Sequence, residues 1–247
     1  PHNVFQPRTD TDSIDWHVIL PQKSPEVFPV ITTDQKLFFD TFGFLVLRGL
    51  LSGNEISKVT MESEDIMEEA RGGLPFDETK WQAIQPFFER RPFLSSLIGD
   101  GRINSIVEGL IGPDFFLIGT EGNMHVGDTP WHGGGDGYEI LPSIKIAFYT
   151  EHLTGDTGAL RLIPGSHKGD FAHRLNPIRN RIDNPKQRVF GVMQKEIPAY
   201  VAETFPGDIL VFTEDVFHSS FGGRPGRHQH AMSFQQVPRT REQIELV

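Results

Sequence analysis

The feature that most limits the fold of this chain is a change in the sequence pattern near residue 114. From there on, short apolar runs alternate with turns rich in glycine, proline and aspartate. This spacing is typical of the strands of an antiparallel sandwich or barrel. The sequence has neither repeated βαβ alternation nor a GxGxxG motif, so we do not expect a dinucleotide-binding fold. The runs that carry the pattern are Phe115–Gly119, Ser143–Tyr149, Ala159–Ile163, Asp208–Phe212 and His228–Val237.

Before this point the sequence predicts helices. Capping motifs at Thr32 and Ser52 begin two amphipathic stretches, and a third helical zone spans about Ile103 to Leu110. We therefore expect one domain, mainly β with α, whose core is a double-stranded β-helix (jelly roll) behind a helical layer. The expected order is an extended arm over 1–32, a mostly helical layer over 33–112 and the jelly-roll core over 113–238.

The acidic composition argues against some partners. The formal net charge is −10 over 247 residues, which disfavours a nucleic-acid polymer or an anionic membrane as the main partner. There is no cysteine, so disulfides, thiolate metal sites and cysteine nucleophiles are excluded. The chain has no apolar run of membrane-spanning length and no signal pattern near residue 1. We expect a cytoplasmic enzyme acting on a small molecule.

Two histidines stand in settings that suit a metal. His132 precedes a run of three glycines, and His218 lies in an apolar run. Side chains at positions i and i+2 of a strand share a face, so a His-X-Asp motif and a distant histidine can form the facial triad of non-haem Fe(II) oxygenases. Here Gly134 occupies the position of the carboxylate. Arg227 is expected to begin the next strand, where its planar guanidinium can grip a carboxylate, and Arg224 is the alternative.

At these residues the chain resembles the phytanoyl-CoA dioxygenase-like branch of the Fe(II)/2-oxoglutarate oxygenases. The resemblance runs from about residue 33 to 237, and its most specific string is GALRLIPGSH. It implies a jelly roll that uses Fe(II), 2-oxoglutarate and O₂. It also implies that His132 and His218 bind iron, that Arg227 anchors 2-oxoglutarate and that Thr129 contacts it. The matching strings, in family order, are Gly43–Gly49, Asp128–His132, Thr157–His167, Pro206–Leu210 and His218–Arg227.

Gly134 departs from the family pattern, which has Asp or Glu there. In the leading interpretation the enzyme is a radical halogenase: chloride takes the vacated site, restores the lost negative charge and is delivered to a substrate radical at an unactivated C–H bond. In the second, a bulge in the glycine run brings the Asp136 carboxylate to iron, and the enzyme is a hydroxylase. In the third, Gly134 is an introduced Asp→Gly change in a hydroxylase. A non-catalytic jelly-roll binding protein is the alternative of another class.

The substrate site is less defined by sequence. Tyr138 and Arg161 are expected substrate contacts, and Trp131 and Phe221 are expected walls of the pocket, with core packing as an equal alternative for these side chains. The stretch 171–200 is expected to be a loop or lid. We place His228 and His230 on a solvent-facing strand. By analogy with such enzymes, a role in natural-product biosynthesis is expected.

Overall fold

Ten strands form two antiparallel sheets in the computed structural model, which describes residues 31–134, 140–181 and 188–245. The first sheet has six strands in the order β1-β8-β5-β10-β3-β2, and the second has four in the order β4-β9-β6-β7. The strands are β1 (Phe44–Leu47), β2 (Gln82–Ile84), β3 (Phe115–His125), β4 (Thr129–His132), β5 (Ser143–Phe148), β6 (Leu160–Leu162), β7 (Tyr200–Ala202), β8 (Ile209–Phe212), β9 (His218–Ser220) and β10 (Arg227–Gln236).

The helices before the sheet cover its outer face. They are α1 (Thr33–Phe42), α2 (Gly53–Ala70), α3 (Pro92–Ile98) and α4 (Gly101–Ile111). The predicted caps are present, because the side chains of Thr32 and Ser52 accept hydrogen bonds from the backbone N–H groups of Gln35 and Glu55. The helical layer and the strand-rich half were therefore predicted correctly, although two short strands from the range 33–112, β1 and β2, belong to the six-stranded sheet.

The six-stranded sheet has one face packed against the helices and an inner face turned toward the four-stranded sheet. Alternation along each strand decides which side chains lie on which face. On β5, Ile144, Ile146 and Phe148 are fully buried in the large apolar core shared with the helices. The residues between them point the other way, since successive side chains of a strand alternate. Lys145 and Ala147 therefore face the space between the two sheets. This space holds the candidate site.

One expectation about a surface position was wrong, and the predicted loop or lid contains helical turns. His230 is not on a solvent-facing strand: its side chain is fully buried, its Nε2 lies 2.7 Å from Ser63 Oγ, and its ring stacks on Phe148. The stretch 171–200 is not simply a loop, because it contains helical turns at Gly169–Leu175, Asn176–Ile178 and Gln194–Glu196. Apolar side chains of this stretch, among them Ile178 and Ile197, are buried in a cluster with Trp131 and Phe217.

Some predictions fall on residues outside the described ranges. They concern most of the arm at 1–32, and the two residues Asp136 and Tyr138. In the part of the chain that is described, no helix combines the length and the apolar character that crossing a membrane requires.

Candidate metal and 2-oxoglutarate site

The tertiary structure brings His132 and His218 together as cross-strand partners. His132 ends β4 and is paired with His218, the first residue of β9. Their ring centroids lie 4.0 Å apart, with an interplanar angle of 57°. Since both strands belong to the four-stranded sheet, the two imidazoles meet on its inner face, where they line one cavity.

Each imidazole is oriented by its own backbone. His132 Nδ1 lies 2.9 Å from the carbonyl oxygen of Pro130, and His218 Nδ1 lies 2.8 Å from that of Val216. A carbonyl oxygen only accepts hydrogen bonds, so Nδ1 carries the hydrogen and donates in both rings. The Nε2 atom of each ring therefore holds a lone pair. This tautomer is the one that a metal-binding histidine needs.

Burial favours the neutral form of both rings. It lowers the pKa of His132, and it holds the pKa of His218 well below its usual value, with the neighbouring His132 adding to the effect. Two neutral, pre-oriented imidazoles fit a divalent transition metal, for which imidazole is a preferred ligand. Among the described residues, no set of three or more His, Asp or Glu side chains is arranged to hold a metal ion, so no carboxylate from that part of the chain joins the pair.

The strand that carries His218 is fixed by the GALRLIPGSH string. Ser166 Oγ accepts a hydrogen bond of 2.8 Å from the backbone N–H of Phe217. The backbone N–H of Ile163 donates to the carbonyl oxygen of Phe217, and Leu162 pairs with His218 in the sheet. The string therefore sets the position of the second histidine from the neighbouring strand.

Arg227 lies in the same cavity as the histidine pair and is only 2% exposed. Its guanidinium donates to the carbonyl oxygen of Gly158 at 2.7 Å and to Ser220 Oγ at 3.0 Å, while its Nε has no partner among the described residues. A buried guanidinium with a free donor fits an anionic ligand, because an uncompensated buried charge is costly. Arg224, the alternative, is exposed and paired with Glu151.

Two glycines make room for this arginine. A Cβ at Gly158, whose φ is +95°, would collide with the Arg227 guanidinium, and a Cβ at Gly223 would lie 2.5 Å from Arg227 Nη1. Any side chain at Gly158 would also be strained by the positive φ. Glycine at these positions is therefore a condition for the placement of Arg227.

The cavity has a volume of about 140 Å³ and is lined by both sheets. Thr129, predicted to contact 2-oxoglutarate, lines it and pairs with Ser220 across the strands. Tyr149 lies beside Arg227, and its burial raises the pKa of its hydroxyl. Trp81, which is 60% exposed, stacks on His125 at 5.3 Å, and both side chains line the cavity.

Gly134 has a left-handed backbone conformation with φ of +78°. Its N–H donates to the carbonyl oxygen of Asp215, and its carbonyl oxygen accepts a hydrogen bond of 2.6 Å from Arg179. A Cβ at this position would overlap the Phe217 ring and lie 2.8 Å from the Arg179 guanidinium. This backbone therefore accepts a side chain at position 134 only if the Phe217 ring moves.

Three side chains proposed to contact substrate do not reach this cavity. Arg161 points away from it, because Leu160 and Leu162 on either side face inward, and its guanidinium donates to the carbonyl oxygens of Lys195 and Gly155. Trp131 is fully buried, donates from Nε1 to the carbonyl oxygen of Gln194, and contacts Phe221 edge-on in a separate apolar cluster. These three side chains pack in the protein interior and against backbone.

Sequence reasoning missed a charged group on the opposite wall. Glu121 on β3 and Lys145 on β5 line the cavity with the histidines. The signal was present in the run Ser-Ile-Lys-Ile-Ala-Phe, since a lysine that alternates with Ile144 and Ile146 lies on the opposite face of the strand, which in a jelly roll is the face toward the second sheet.

Comparisons with known proteins agree with this fold. Residues 39–228 match the phytanoyl-CoA dioxygenase (PhyH) family. L-proline trans-4-hydroxylase of Streptomyces griseoviridis is 25% identical over 212 residues, covering 76% of this chain and 79% of that protein. HygX from Streptomyces hygroscopicus, solved with nickel and 2-oxoglutarate, superposes with a TM-score of 0.68 at 19% identity and covers 86% of this chain and 90% of HygX. EctD from S. alaskensis, solved with 2-oxoglutarate and 5-hydroxyectoine, has a TM-score of 0.62 at 15% identity over 87% of this chain and 79% of EctD.

The fold and the family match define a jelly-roll oxygenase of the Fe(II)/2-oxoglutarate type. This chain belongs to the phytanoyl-CoA dioxygenase family, since the match spans most of its length.

Proposed function

We propose that this protein uses Fe(II) and 2-oxoglutarate to oxidise an unactivated C–H bond of a small molecule, and that a halide occupies the iron position left open at Gly134. The observation that carries the proposal is the His132–His218 pair, with both Nε2 atoms free to bind a metal in a cavity that also contains Arg227. Bound Fe(II), with 2-oxoglutarate and O₂, supplies the oxidant for the C–H bond.

In this proposal each residue has a defined task. His132 and His218 hold the metal as neutral ligands, and Arg227 anchors the distal carboxylate of 2-oxoglutarate with help from Thr129. Gly134 contributes no carboxylate. A metal held by two neutral ligands keeps its full charge, which favours an added anion such as chloride.

Hydroxylation is the second candidate, and a specific observation favours it. The relatives whose names state a reaction include a proline hydroxylase, and EctD was solved with a hydroxylated ectoine. Under this reading Asp136, which lies outside the described residues, supplies the third ligand. The substrates of these relatives are small polar molecules, which supports a small polar substrate for this chain.

The experiment that separates the two candidates is an anaerobic titration of the protein with Fe(II) and 2-oxoglutarate, followed by visible absorption, with and without chloride. We expect a weak charge-transfer band that chloride shifts in a saturable manner. A band that ignores chloride would reject the halide and favour Asp136 or water in that position. Failure to form any band would reject the oxygenase proposal and leave a non-catalytic binding protein. His218→Ala is the control without a metal site.

A further inference from the structure

Opposite the histidine pair, one ammonium group is held between two carboxylates. Lys145 Nζ lies 2.8 Å from Glu121 Oε1 and 3.1 Å from Glu214 Oε1. We call these three residues the Lys145 cluster. Its three charged groups sum to a net negative charge. Lys145 and Glu121 are only 20% and 19% exposed, so their charges are weakly screened by solvent.

The Lys145 cluster is well separated from Arg227 within the site. On β3, Glu121 is four residues from His125, which pairs with Arg227. At about 3.3 Å per residue this is roughly 13 Å along the strand. Two members of the cluster, Glu121 and Lys145, line the same cavity as the histidine pair. Arg227 and the Lys145 cluster therefore place opposite charges at the two ends of the site.

The cluster also borders a second, larger cavity. Glu121, Lys145 and Glu214 line a groove of about 450 Å³ together with Gln85 and Ser233. Glu121 and Lys145 are common to this groove and to the metal cavity. The groove and the metal cavity therefore meet at Glu121 and Lys145.

A buried acceptor beside the cluster points to a ligand that donates hydrogen bonds. Asn123 is two residues from Glu121 on β3, is 3% exposed and lines the metal cavity. Its Oδ1 has no hydrogen-bond partner among the described residues. Ionised 2-oxoglutarate carries only acceptor oxygens, so it cannot satisfy this group. Buried polar atoms are rarely left unpaired, and the missing donor is best supplied by the second substrate.

We propose that the substrate carries a protonated amine, which Glu121 and Glu214 bind by charge while Asn123 Oδ1 accepts one of its hydrogen bonds. Lys145 fills the place of this amine in the free protein and shares the carboxylates with it in the complex. The inference rests on the proposed function in one respect, because it assumes that the substrate binds beside the histidine pair. An anionic substrate is disfavoured by the net negative charge and by the acceptor atoms that line this wall.

The test compares primary amines with their uncharged N-acetyl derivatives. The full chain is loaded with Zn(II), which is redox-inert, and with 2-oxoglutarate, and binding is read by saturation-transfer NMR of the small molecule. The probe pairs are ethanolamine with N-acetylethanolamine and glucosamine with N-acetylglucosamine. We expect the amines to bind about tenfold or more tightly, the size of one charge-assisted hydrogen bond. Equal binding within each pair, or no binding of any amine at millimolar concentration, would overturn the proposal.

Variants of the cluster give predictions of opposite sign. Glu121→Gln and Glu214→Gln should each weaken amine binding by about tenfold, because each removes one of the two carboxylate charges. Lys145→Met should tighten amine binding, because it removes the competing cation. If the cluster served only to stabilise the fold, Lys145→Met would lower the unfolding temperature and leave amine binding unchanged. Glu64→Gln, an equal change of charge on the exposed face of α2, is the matched control.

The readouts separate this inference from the proposed function. The visible band of Fe(II) and 2-oxoglutarate reports the metal site and needs no amine. If the band forms and amines show no preference, the substrate inference fails and the oxygenase proposal stands. If amines bind through Glu121 and Glu214 but no band forms, the oxygenase proposal fails and the cluster remains an amine site.

Discussion

His132 and His218 are cross-strand partners, and each donates its Nδ1 hydrogen to the carbonyl oxygen two residues before it, at Pro130 and Val216. The same local hydrogen bond therefore orients both rings, and the sheet register sets their separation. Both hydrogen bonds go to main-chain carbonyl groups, which suits a metal centre because such a bond fixes the tautomer and the orientation of a ligating imidazole.

The first prediction concerns metal binding by this pair. His218→Ala should weaken Fe(II) binding by more than about 100-fold, since even changes to residues that only orient a ligand cost about 10- to 100-fold. Anaerobic titration followed by the visible band of the 2-oxoglutarate complex measures this. His173→Ala, at an exposed position of the helix Gly169–Leu175, should leave the titration unchanged. Tight binding by the His218→Ala protein would contradict the assignment.

The second prediction concerns the space around Arg227. Gly158→Ala should raise the dissociation constant of 2-oxoglutarate by about 10-fold or more, because the added methyl group displaces the guanidinium and weakens charge-assisted hydrogen bonds. Calorimetric titration of 2-oxoglutarate into the metal-loaded protein checks it. Gly191→Ala is the matched control, since its φ of +76° brings a similar backbone strain and its Cβ would meet nothing within 4 Å. Similar dissociation constants for the two variants would argue against Arg227 as the anchor.

The third prediction tests the fit of Gly134. Gly134→Asp should destabilise the protein by about 1–3 kcal/mol more than Gly191→Asp, because overpacking against Phe217 adds to the backbone strain. Gly191 is a suitable control, since its φ of +76° matches the +78° of Gly134 and a Cβ there would meet nothing within 4 Å. Chemical denaturation gives both free energies of unfolding. Equal losses of unfolding free energy in the two variants would mean that the backbone around position 134 relaxes to accept the new side chain.

The same variant tests the halide. If chloride binds beside Gly134, the Gly134→Asp protein should lose the chloride-dependent shift of the visible band, because the carboxylate supplies the charge that chloride would restore. A shift that persists in this variant would place the halide elsewhere.

The fourth prediction concerns the dependence of stability on pH. Burial lowers the pKa of His230 to about 3, whereas the unfolded chain takes up this proton near pH 6.5. The unfolded state therefore binds more protons between these values, and the stability that neutral His230 contributes above pH 6.5 is lost as the pH falls. The expected slope is on the order of 1.4 kcal/mol per pH unit.

His230→Gln should flatten this slope, while His152→Gln, at an exposed position, should keep it. Denaturant unfolding at a series of pH values from about 4 to 7 measures the slope of stability for both variants. This window covers most of the range between the two pKa values above. An unchanged slope in the His230→Gln protein would show that other groups dominate acid destabilisation.

The sequence by itself determined the class of fold and most residues of the candidate metal site. Capping motifs at Thr32 and Ser52 and period-two runs such as Ser143–Tyr149 are local signals, so they predict helices and strands without knowledge of the partners. His132, His218 and Arg227 could be identified because each lies in a short string with a recognisable order. That the two histidines bind iron and that Arg227 binds 2-oxoglutarate stays a prediction.

Only the tertiary structure decided which side chains face the cavity and which distant residues contact one another. Whether Arg161 or Leu160 points into the cavity depends on strand register, and a shift by one residue reverses every side chain. The burial of His230 under α2 and the meeting of Lys145 with Glu121 and Glu214 join residues far apart in the chain. No local pattern encodes such contacts, because they arise from the packing of helices and sheets against one another. The two histidines could therefore be singled out from the sequence, whereas the Lys145 cluster on the opposite wall forms only when the chain folds.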